Sequence, residues 1–268
     1  MKIAYIGIDI LYTAMEALLD AGCEILEVFT CKTDNKTEFN IRVTARAKEL
    51  NVPCSMDRIR EENLRRLADK GCEAVFIAGY YYRIPILEGM PMVNVHPAYL
   101  PLGRGAWPMP VTIMKGLPES GVTLHKLTRG LDMGDILMQE SFRVSDRENL
   151  EGFMEKADTC IRHMIPKLLA DFRFIYENAE PQGEGEYWAC PVERDWTVSP
   201  DMTEEEIDRI LRAFYGYECI WEEDGKKYEL IKGRLIRQCP GEGSPGKGMY
   251  FCTRGGNFIV AEKIEEID

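Results

Sequence analysis

The first half of the chain alternates short, mostly apolar segments with amphipathic ones, and this alternation constrains the fold more than any other feature. The apolar segments have the pattern of strands that are buried on both faces, and the segments between them have helical periodicity. The four clearest strand segments are residues 2–8 (KIAYIGI), 24–30 (EILEVFT), 74–80 (AVFIAGY) and 92–96 (MVNVH). Such a β-α-β-α order predicts an α/β fold with a doubly wound, mainly parallel, Rossmann-like sheet.

The pattern of the chain changes near residue 183. Beyond it one helix is predicted, with Thr203 and Glu206 spaced as a capping box. Short strand-like segments follow, separated by glycine-rich turns. We therefore expect a first domain of residues 1–183 and a small, β-rich second domain of residues 184–268.

Two segments around this boundary set further expectations. Residues 149–177 have the pattern of one long amphipathic helix, interrupted or kinked near Pro166. Residues 178–191 (NAEPQGEGEYWACP) look like a linker, since glycine, proline and polar residues are frequent among them.

The charge balance limits the partners of the chain. Its 268 residues carry a net charge of −12, with a sequence pI near 4.9, so the surface should repel nucleic-acid phosphate. The nine cysteines form no C-x-x-C pair, which is typical of reduced thiols in a cytoplasmic protein and predicts no metal site. Because the sequence MKIAYIGI lacks the features of a signal peptide and no apolar run reaches about 20 residues, we expect a cytoplasmic chain without a membrane partner.

Two familiar nucleotide-binding motifs do not fit this sequence. Gly241–Gly248 (GEGSPGKG) has the spacing of a phosphate loop, but glycine replaces the Ser or Thr that binds magnesium, and a strand-like segment follows. We interpret this segment as a hairpin loop. The turn after the first strand (GIDILY) lacks the G-x-G-x-x-G pattern of a classical dinucleotide site.

The strand of residues 92–96 ends with two polar side chains. Asn94 and His96 are two residues apart, so they project from the same face, near the carboxyl end where doubly wound sheets bind ligands. An amide donor and a proton-exchanging histidine suit a reaction in which a carbonyl oxygen gains negative charge. Asp132, in the glycine-flanked loop LDMGD, can approach His96 and set its proton position. On these residues alone, a purely structural role for the pair stays open.

The combination of motifs resembles the folate-dependent formyltransferase family. That family has Asn-x-His, Leu-Pro, Arg-Gly, Gly-Val-Thr-x-His and Asp-x-Gly, and this chain has NVHPAYLPLGRGAWP, SGVTLH and LDMGD in the same order. The resemblance implies a formyltransferase fold for about the first 180 residues. For the remainder it implies an OB-like barrel, as in methionyl-tRNA formyltransferase. The implied reaction transfers a formyl group from 10-formyltetrahydrofolate to an amine, without a metal.

The resemblance also implies roles for single residues. Asn94 and protonated His96 would stabilise the oxyanion, and Asp132 would hold His96 and help move a proton from the attacking amine to the leaving nitrogen. The expected folate-binding residues are Ile84, Ile86, Met92, Leu100, Thr128, Arg129, Gly130 and Leu131. Core packing is the alternative for the apolar members of this set. The expected acceptor-binding residues are Tyr81, Arg83 and Arg104. We interpret His125 as structural and His163 as structural or exposed.

Two parts of the chain depart from the family pattern. Relatives commonly have Ser-Leu-Leu-Pro after the histidine, whereas this chain has Ala98 in place of the serine. Any contact made by that serine hydroxyl is therefore absent. The first turn of the chain also differs from the usual opening, so the pocket for the acceptor near it is expected to differ.

The identity of the acceptor amine is the open question. Methionyl-tRNA formyltransferases usually carry a basic insertion after the second strand, but residues 31–42 here are short and mixed in charge. Residues 201–268 contain 15 acidic and 10 basic side chains, the reverse of a phosphate-binding surface. The GYYYR and GVTLHKL segments resemble the formyltransferases of nucleotide-linked amino sugars.

A small amine, such as a nucleotide-linked amino sugar, is therefore our first expectation for the acceptor. Methionyl-tRNA formyltransferase is the second, with tRNA as a partner that the charge disfavours. A 10-formyltetrahydrofolate hydrolase and a non-catalytic folate-binding protein are the remaining alternatives. The sequence does not indicate an oligomeric state.

Overall fold

The computed structural model describes residues 1–239 and 249–267, and its contacts divide the chain into two compact units. The first unit comprises Met1–Ala106, Ser120–Phe142 and Lys156–Trp188. The second comprises Trp107–Glu119, Arg143–Glu155 and Ala189–Asp268. The two units interleave along the sequence, and the expected domain boundary between residues 183 and 184 stays a prediction. The glycine-rich segment Gly241–Gly248 lies outside the described residues.

The secondary structure of the first 190 residues follows the alternating pattern of the sequence. In chain order the elements are β1 (Lys2–Gly7), α1 (Tyr12–Asp20), β2 (Glu24–Phe29), α2 (Ile41–Glu49), β3 (Cys54–Ser55), α3 (Glu61–Asp69), β4 (Ala74–Ala78), β5 (Met92–His96), β6 (Leu102–Arg104), α4 (Pro108–Met114), β7 (Glu119–Lys126), β8 (Ile136–Arg143), α5 (Leu150–Ala170), α6 (Phe172–Glu177) and β9 (Glu186–Tyr187).

One sheet of seven strands organises the first unit. Its strand order is β3-β2-β1-β4-β5-β7-β8. The first five strands pair in parallel, and β7 is antiparallel to β5. The α/β fold class with a mainly parallel sheet is therefore confirmed.

Two glycines terminate helices in this unit. Gly22 and Gly71 follow α1 and α3 with φ angles of +82° and +80°, which non-glycine residues rarely adopt. After each glycine the chain folds back, since Cys23 N–H donates to Leu18 O and Cys72 N–H to Leu67 O, both at 3.0 Å. These bonds satisfy carbonyls that the helix itself leaves unpaired.

One apolar cluster of the sheet lies where α3 packs on it. The cluster comprises Ala4, Ile6, Phe29, Ile59, Leu64, Leu67, Cys72, Val75, Ile77, Met90 and Met92. Leu64 and Leu67 are fully buried and lie three residues apart, on the same side of α3. Burial of each such side chain contributes about 1.5–3 kcal/mol.

The long helix expected for residues 149–177 is divided into α5 and α6. The interruption lies at Asp171 rather than near Pro166, and Pro166 lies inside α5. A proline removes one helical hydrogen bond. The neighbouring Ile165 and Leu168 are fully buried, and their packing on both sides of the proline stabilises the continuous helix.

The second unit contains the remaining strands and one capped helix. Its elements beyond residue 190 are β10 (Thr197–Val198), α7 (Glu204–Ala213), β11 (Cys219–Glu223), β12 (Lys226–Ile231), β13 (Arg234–Ile236), β14 (Phe251–Cys252), β15 (Phe258–Val260) and β16 (Lys263–Ile267). They form a four-stranded sheet, β10-β11-β12-β16, and a three-stranded sheet, β13-β15-β14. These sheets are consistent with the expected β-rich domain.

The start of α7 has the capping box that the sequence predicts. Glu206 N–H donates to Thr203 Oγ1 at 3.3 Å, and Thr203 N–H donates to Glu206 Oε2 at 2.8 Å. From α7, Ile207 and Leu211 pack with Trp221 in a buried cluster. Within residues 1–239 and 249–267, no helix is long and apolar enough to cross a membrane.

Candidate active site

Two neighbouring strands bring polar side chains to one face of the seven-stranded sheet. In the antiparallel β5–β7 pair, Asn94 lies opposite His125 and His96 lies opposite Thr123. Opposite residues of paired strands share a face, as do residues two apart on one strand. The four side chains therefore project together.

Asp132 reaches the same face from the loop between β7 and β8. Its φ of +51° is in the left-handed region, which aspartate tolerates better than most residues. Its Oδ1 accepts from Asn94 Nδ2 at 3.3 Å and lies 3.7 Å from His96 Nδ1 and 3.5 Å from His125 Nε2. Its Oδ2 accepts from the backbone N–H of Gly105 at 2.9 Å. The three expected catalytic side chains thus lie in one cluster, which also contains His125.

Hydrogen bonds to backbone carbonyls define the proton positions on both histidines. His96 Nε2 lies 2.8 Å from Gly103 O, and His125 Nδ1 lies 2.8 Å from Lys126 O. A carbonyl only accepts, so these two nitrogens carry hydrogens. In neutral rings the opposite nitrogens are then acceptors, and His125 Nε2 accepts from Asn94 Nδ2 at 3.1 Å. The amide nitrogen of Asn94, rather than its oxygen, therefore faces the cluster.

Burial determines the charges of the cluster. His96 is 4% exposed and Asp132 is 7% exposed. Burial lowers the pKa of His96 below its ordinary 6.5 despite the opposing charge of Asp132, so the ring is neutral at pH 7. Burial raises the pKa of the Asp132 carboxyl, but the positive charge that His96 and His125 carry when protonated, together with the Gly105 N–H, outweighs burial and lowers the pKa overall. The resting cluster therefore pairs a neutral imidazole with a carboxylate, and an imidazolium forms when a proton enters the site.

Sequence reasoning missed two members of this site. It assigned His125 a structural role, and it gave Thr123 none. Thr123 Oγ1 donates to Ala98 O at 2.8 Å and accepts from Leu100 N–H at 3.1 Å, which holds the loop that follows β5. Gln139 Nε2 donates to the same hydroxyl at 2.9 Å. The sequence did contain a relevant pattern. Thr123 and His125 are two residues apart in GVTLH, so they share one face of a strand that can pair directly with the NVH strand.

The four residues that precede Asp132 were expected to bind folate. They are Thr128, Arg129, Gly130 and Leu131. The side chains of Thr128 and Arg129 are exposed, and Leu131 is 51% exposed. Thr128 Oγ1 donates to Gly130 O at 3.0 Å. This segment, adjacent in sequence to Asp132, therefore presents solvent-exposed side chains.

The other expected folate-binding residues divide into two groups. Ile84 is half-buried and Ile86 is 37% exposed, so both present apolar surface after β4. Met92 and Leu100 are each 1% exposed, and Met92 belongs to the apolar cluster under α3. The structure therefore places these two in the core, the alternative that the sequence left open for them.

The three expected acceptor-binding residues also differ in their surroundings. Tyr81 and Arg83 are exposed on the segment after β4. Arg104 is only 8% exposed. Its guanidinium donates to Gln182 Oε1 at 2.9 and 3.1 Å and to Gly183 O at 2.9 Å. Its donors are thus directed towards the protein rather than towards solvent.

Among residues 1–239 and 249–267, no group of three or more His, Cys, Asp or Glu side chains is arranged to hold a metal ion.

Comparison with known proteins assigns the chain to a family. Residues 24–169, more than half of the chain, match the model of the formyl transferase family. Methionyl-tRNA formyltransferase of Anaplasma marginale is 29% identical over 243 residues, which cover 87% of this chain and 80% of that protein. The chain therefore belongs to the formyl transferase family and is a formyl-transferring enzyme.

Solved structures share the fold at lower identity. HypX from Aquifex aeolicus superposes with a TM-score of 0.71 at 15% identity, and the match covers 97% of this chain but only 43% of HypX. The N-formyltransferase from Helicobacter canadensis, solved with folinic acid and dTDP-3-aminofucose, superposes with a TM-score of 0.65 at 18% identity. That match covers 97% of this chain and 98% of the Helicobacter protein. At these identities the likeness concerns the fold alone.

Proposed function

We propose that this chain transfers a formyl group from 10-formyltetrahydrofolate to a primary amine, with Asn94, His96 and Asp132 at the reacting atoms. The observation that carries the proposal is the convergence of these three side chains on one buried cluster, in a chain of the formyl transferase family. The exposed segment from Thr128 to Leu131, adjacent in sequence to Asp132, offers backbone for the pterin ring.

The electrostatic part of the mechanism falls to Asn94. Its amide nitrogen is already directed by two acceptors, Asp132 Oδ1 and His125 Nε2. A formyl oxygen that gains negative charge can replace one of these acceptors without reorienting the amide. A donor that is held in place before the reaction stabilises developing charge more than one that must reorganise.

Proton transfer falls to His96 and Asp132. When the amine nitrogen bonds to the formyl carbon, it must lose a proton, and the departing N10 nitrogen must gain one. The neutral Nδ1 of His96 and the Asp132 carboxylate, 3.7 Å apart, can accept that proton and return it to N10. The transfer balances without another reactant: the carbon–N10 bond breaks, the new carbon–nitrogen bond forms, and one proton moves between the nitrogens.

For the acceptor we propose a small amine, such as a nucleotide-linked amino sugar. Charge supports this choice, because the chain has a net charge of −12 and residues 201–268 carry five more acidic than basic side chains. The segment after β2, where a basic insertion would bind tRNA, is a compact loop. In it, Asp34 Oδ1 accepts from the backbone N–H groups of Lys36, Thr37 and Glu38 at 2.9–3.1 Å.

Methionyl-tRNA is the second candidate acceptor, and one observation favours it. The similarity to the Anaplasma marginale methionyl-tRNA formyltransferase extends over 87% of this chain, well beyond the residues of the cluster. The two candidates differ in a measurable property: binding of tRNA, but not of an amino sugar, should weaken steeply as salt rises.

An acceptor panel separates these candidates. The measurement is tetrahydrofolate formed from 10-formyltetrahydrofolate with amino-sugar nucleotides, with initiator methionyl-tRNA, and with water alone. We expect turnover with at least one amino-sugar nucleotide. Turnover with the tRNA alone would contradict the proposed acceptor but not the proposed chemistry. Turnover with water alone would identify a hydrolase, and folate binding without turnover would identify a non-catalytic protein.

A further inference from the structure

Residues 180–188, part of the segment that the sequence suggested as a linker, form an ordered strap on the first unit. At one end the strap binds the loop that carries Asp132. Glu180 exchanges two backbone hydrogen bonds, of 2.7 and 2.9 Å, with the first residue of β8. Two residues later, Gln182 Nε2 donates to Asp132 O at 3.0 Å and to Gly134 O at 2.6 Å. The strap thereby holds the backbone of Asp132 itself.

At its other end the strap binds β6 and the residues around it. β9 pairs with β6 in parallel, Glu186 N–H donates to Pro101 O at 3.2 Å, and Trp188 N–H donates to Arg104 O at 2.7 Å. The approach is close: a Cβ added at Gly105 would collide with the backbone oxygen of Trp188. Only glycine fits at this position, because the strap passes directly against it.

β6 in turn contacts the reactive side chains. Gly103 O accepts from His96 Nε2 at 2.8 Å, and Gly105 N–H donates to Asp132 Oδ2 at 2.9 Å. Two backbone segments therefore hold the reactive side chains of β5 in place, residues 103–105 on one side and the Asp132 loop on the other. The strap is bonded to both of them.

The side chain of Gln182 joins the two segments through a single amide. Its Oε1 accepts two hydrogen bonds from the guanidinium of Arg104, which donates a third hydrogen bond to Gly183 O. Its Nε2 then faces the Asp132 loop. Among the described residues, these partners of the buried Arg104 are neutral oxygens rather than a carboxylate. Burying a cation on neutral partners is costly, so the arrangement is unfavourable for stability alone and is explained by the orientation that it gives to Gln182.

We propose that Gln182 is a positioning residue that fixes the Asp132 carboxylate against His96 and Asn94, and that Arg104 acts through Gln182 rather than on the acceptor. This inference rests on the proposed formyl transfer only for its kinetic consequences. Its geometric consequence, the placement of the carboxylate beside His96, can be measured without any turnover.

Two substitutions at Gln182 test the proposal in the full-length chain. Gln182→Met removes all four side-chain hydrogen bonds without adding a charge. Gln182→Glu keeps an acceptor for Arg104 but removes both donors to the Asp132 loop. We expect kcat to fall in both variants, by about 10²-fold, since a displacement of about 1 Å at a reacting group has that effect. The KM for the formyl donor should change much less than kcat.

Histidine titration by NMR separates the positioning role of Gln182 from a purely structural one, since only the positioning role predicts a change in the titration of His96. The chain has three histidines. Two of them, His96 and His125, face Asp132, whereas His163 is exposed on α5 and pairs with Glu140 at 3.0 Å. If Asp132 moves away in Gln182→Met, the charge that favours protonated His96 weakens. The His96 midpoint should then shift to lower pH while the His163 midpoint stays constant.

The control is Gln238→Glu, which makes the same charge change at an exposed position of the second unit and should leave kcat and all three titrations unchanged. Wild-type kcat in a folded Gln182→Met or Gln182→Glu variant would overturn the proposal. So would lost activity with an unmoved His96 midpoint. If the wild-type chain transfers no formyl group, the proposed function fails, yet the His96 shift in Gln182→Met still decides the positioning role.

Discussion

One face of the seven-stranded sheet is apolar at one end and polar at the other. Across β1 and β4 it presents Ala4, Ile6, Val75 and Ile77, which pack under α3. Across β5 and β7 the same face presents Asn94, His96, Thr123 and His125, in register with the apolar rows. The change takes place within a single strand, because Met92 belongs to the apolar cluster and Asn94, two residues on, binds Asp132.

The two ends are stabilised by different physics. The apolar end is stabilised by buried apolar surface area and by side chains that fill the available volume. Other hydrophobic side chains of suitable size and shape could supply both. The polar end needs a partner for every donor and acceptor, because an unpaired buried polar group costs about 1–3 kcal/mol. Several of those partners are backbone atoms of another segment, such as Gly103 O and Gly105 N–H. Function therefore depends on loops at the polar end and stability on side-chain volume at the apolar end.

The largest expected effect of a substitution lies at the polar end. In His96→Ala the site loses its acid–base group, so we expect the rate of formyl transfer to fall by about 10²–10⁴-fold. The free energy of unfolding should also fall, by about 1–3 kcal/mol, because the buried Gly103 O loses the hydrogen bond from His96. His163→Ala, at the exposed histidine of α5, is the matched control and should retain the wild-type rate. Equal rates in the two variants would remove His96 from the mechanism.

At the apolar end a substitution should have the opposite profile. Leu64 is fully buried in the cluster under α3, so Leu64→Ala should lower the free energy of unfolding by about 2–5 kcal/mol. The kcat of the folded fraction should stay at the wild-type value. Chemical denaturation and initial rates measure the two quantities, with Leu64→Met as a volume-conserving control that costs less than about 1.5 kcal/mol. A large loss of kcat in Leu64→Ala would show that the two ends are coupled.

The pH dependence of stability should reflect His96. Its pKa is lower in the folded chain than the ordinary 6.5, so the unfolded chain binds the proton more readily. The stabilisation is complete above pH 6.5 and is lost as pH falls towards the lower folded value, by at most about 1.4 kcal/mol per pH unit. The Asp132 pKa is also lowered, from 3.8, so its contribution is lost only in more acidic solution. Urea unfolding of the wild type should show a free energy of unfolding that decreases as pH falls from 8 to 5. In His96→Gln this decrease should be smaller.

The smallest effect is expected at an exposed ion pair on α3. Arg65 and Glu61 are four residues apart, with side chains 66% and 51% exposed. Solvent screens such pairs, so Arg65→Ala should change the free energy of unfolding by no more than about 0.5 kcal/mol. Arg65 lies on the same helix as Leu64. If Arg65→Ala lowered the free energy of unfolding as much as Leu64→Ala, helix formation rather than burial would determine the stability of the apolar end.

The same contrast explains what the sequence could predict. The apolar strands and the glycine ends of α1 and α3 follow from periodicity and backbone preference, and β5 was predicted at Met92–His96, as found. The capping box of Thr203 is a local pattern and was also found. Resemblance to a family, rather than residue chemistry alone, connected Asp132 with Asn94 and His96.

The strap of residues 180–188 shows what local patterns miss. Its glycines and polar residues predict a linker, yet Gly185 is required by a close approach to the carbonyl of Pro101. Gln182 likewise makes its bonds with Asp132 and Gly134, about 50 residues earlier in the chain. Hydrogen bonds between residues so far apart in the sequence leave no periodic pattern in it. The hydrogen-bond partner of Arg104 was unpredictable for the same reason, since Gln182 lies 78 residues away.

The most direct test of the central claim is the rate of tetrahydrofolate formation from 10-formyltetrahydrofolate by wild type and Asp132→Asn, with an amine acceptor present. Asparagine keeps the shape of the side chain but removes the carboxylate that faces His96 and accepts from Asn94. We predict turnover by wild type and a rate lower by about 10²–10⁴-fold in a folded Asp132→Asn. Equal rates in the two proteins would contradict the assignment of this cluster as the site of formyl transfer.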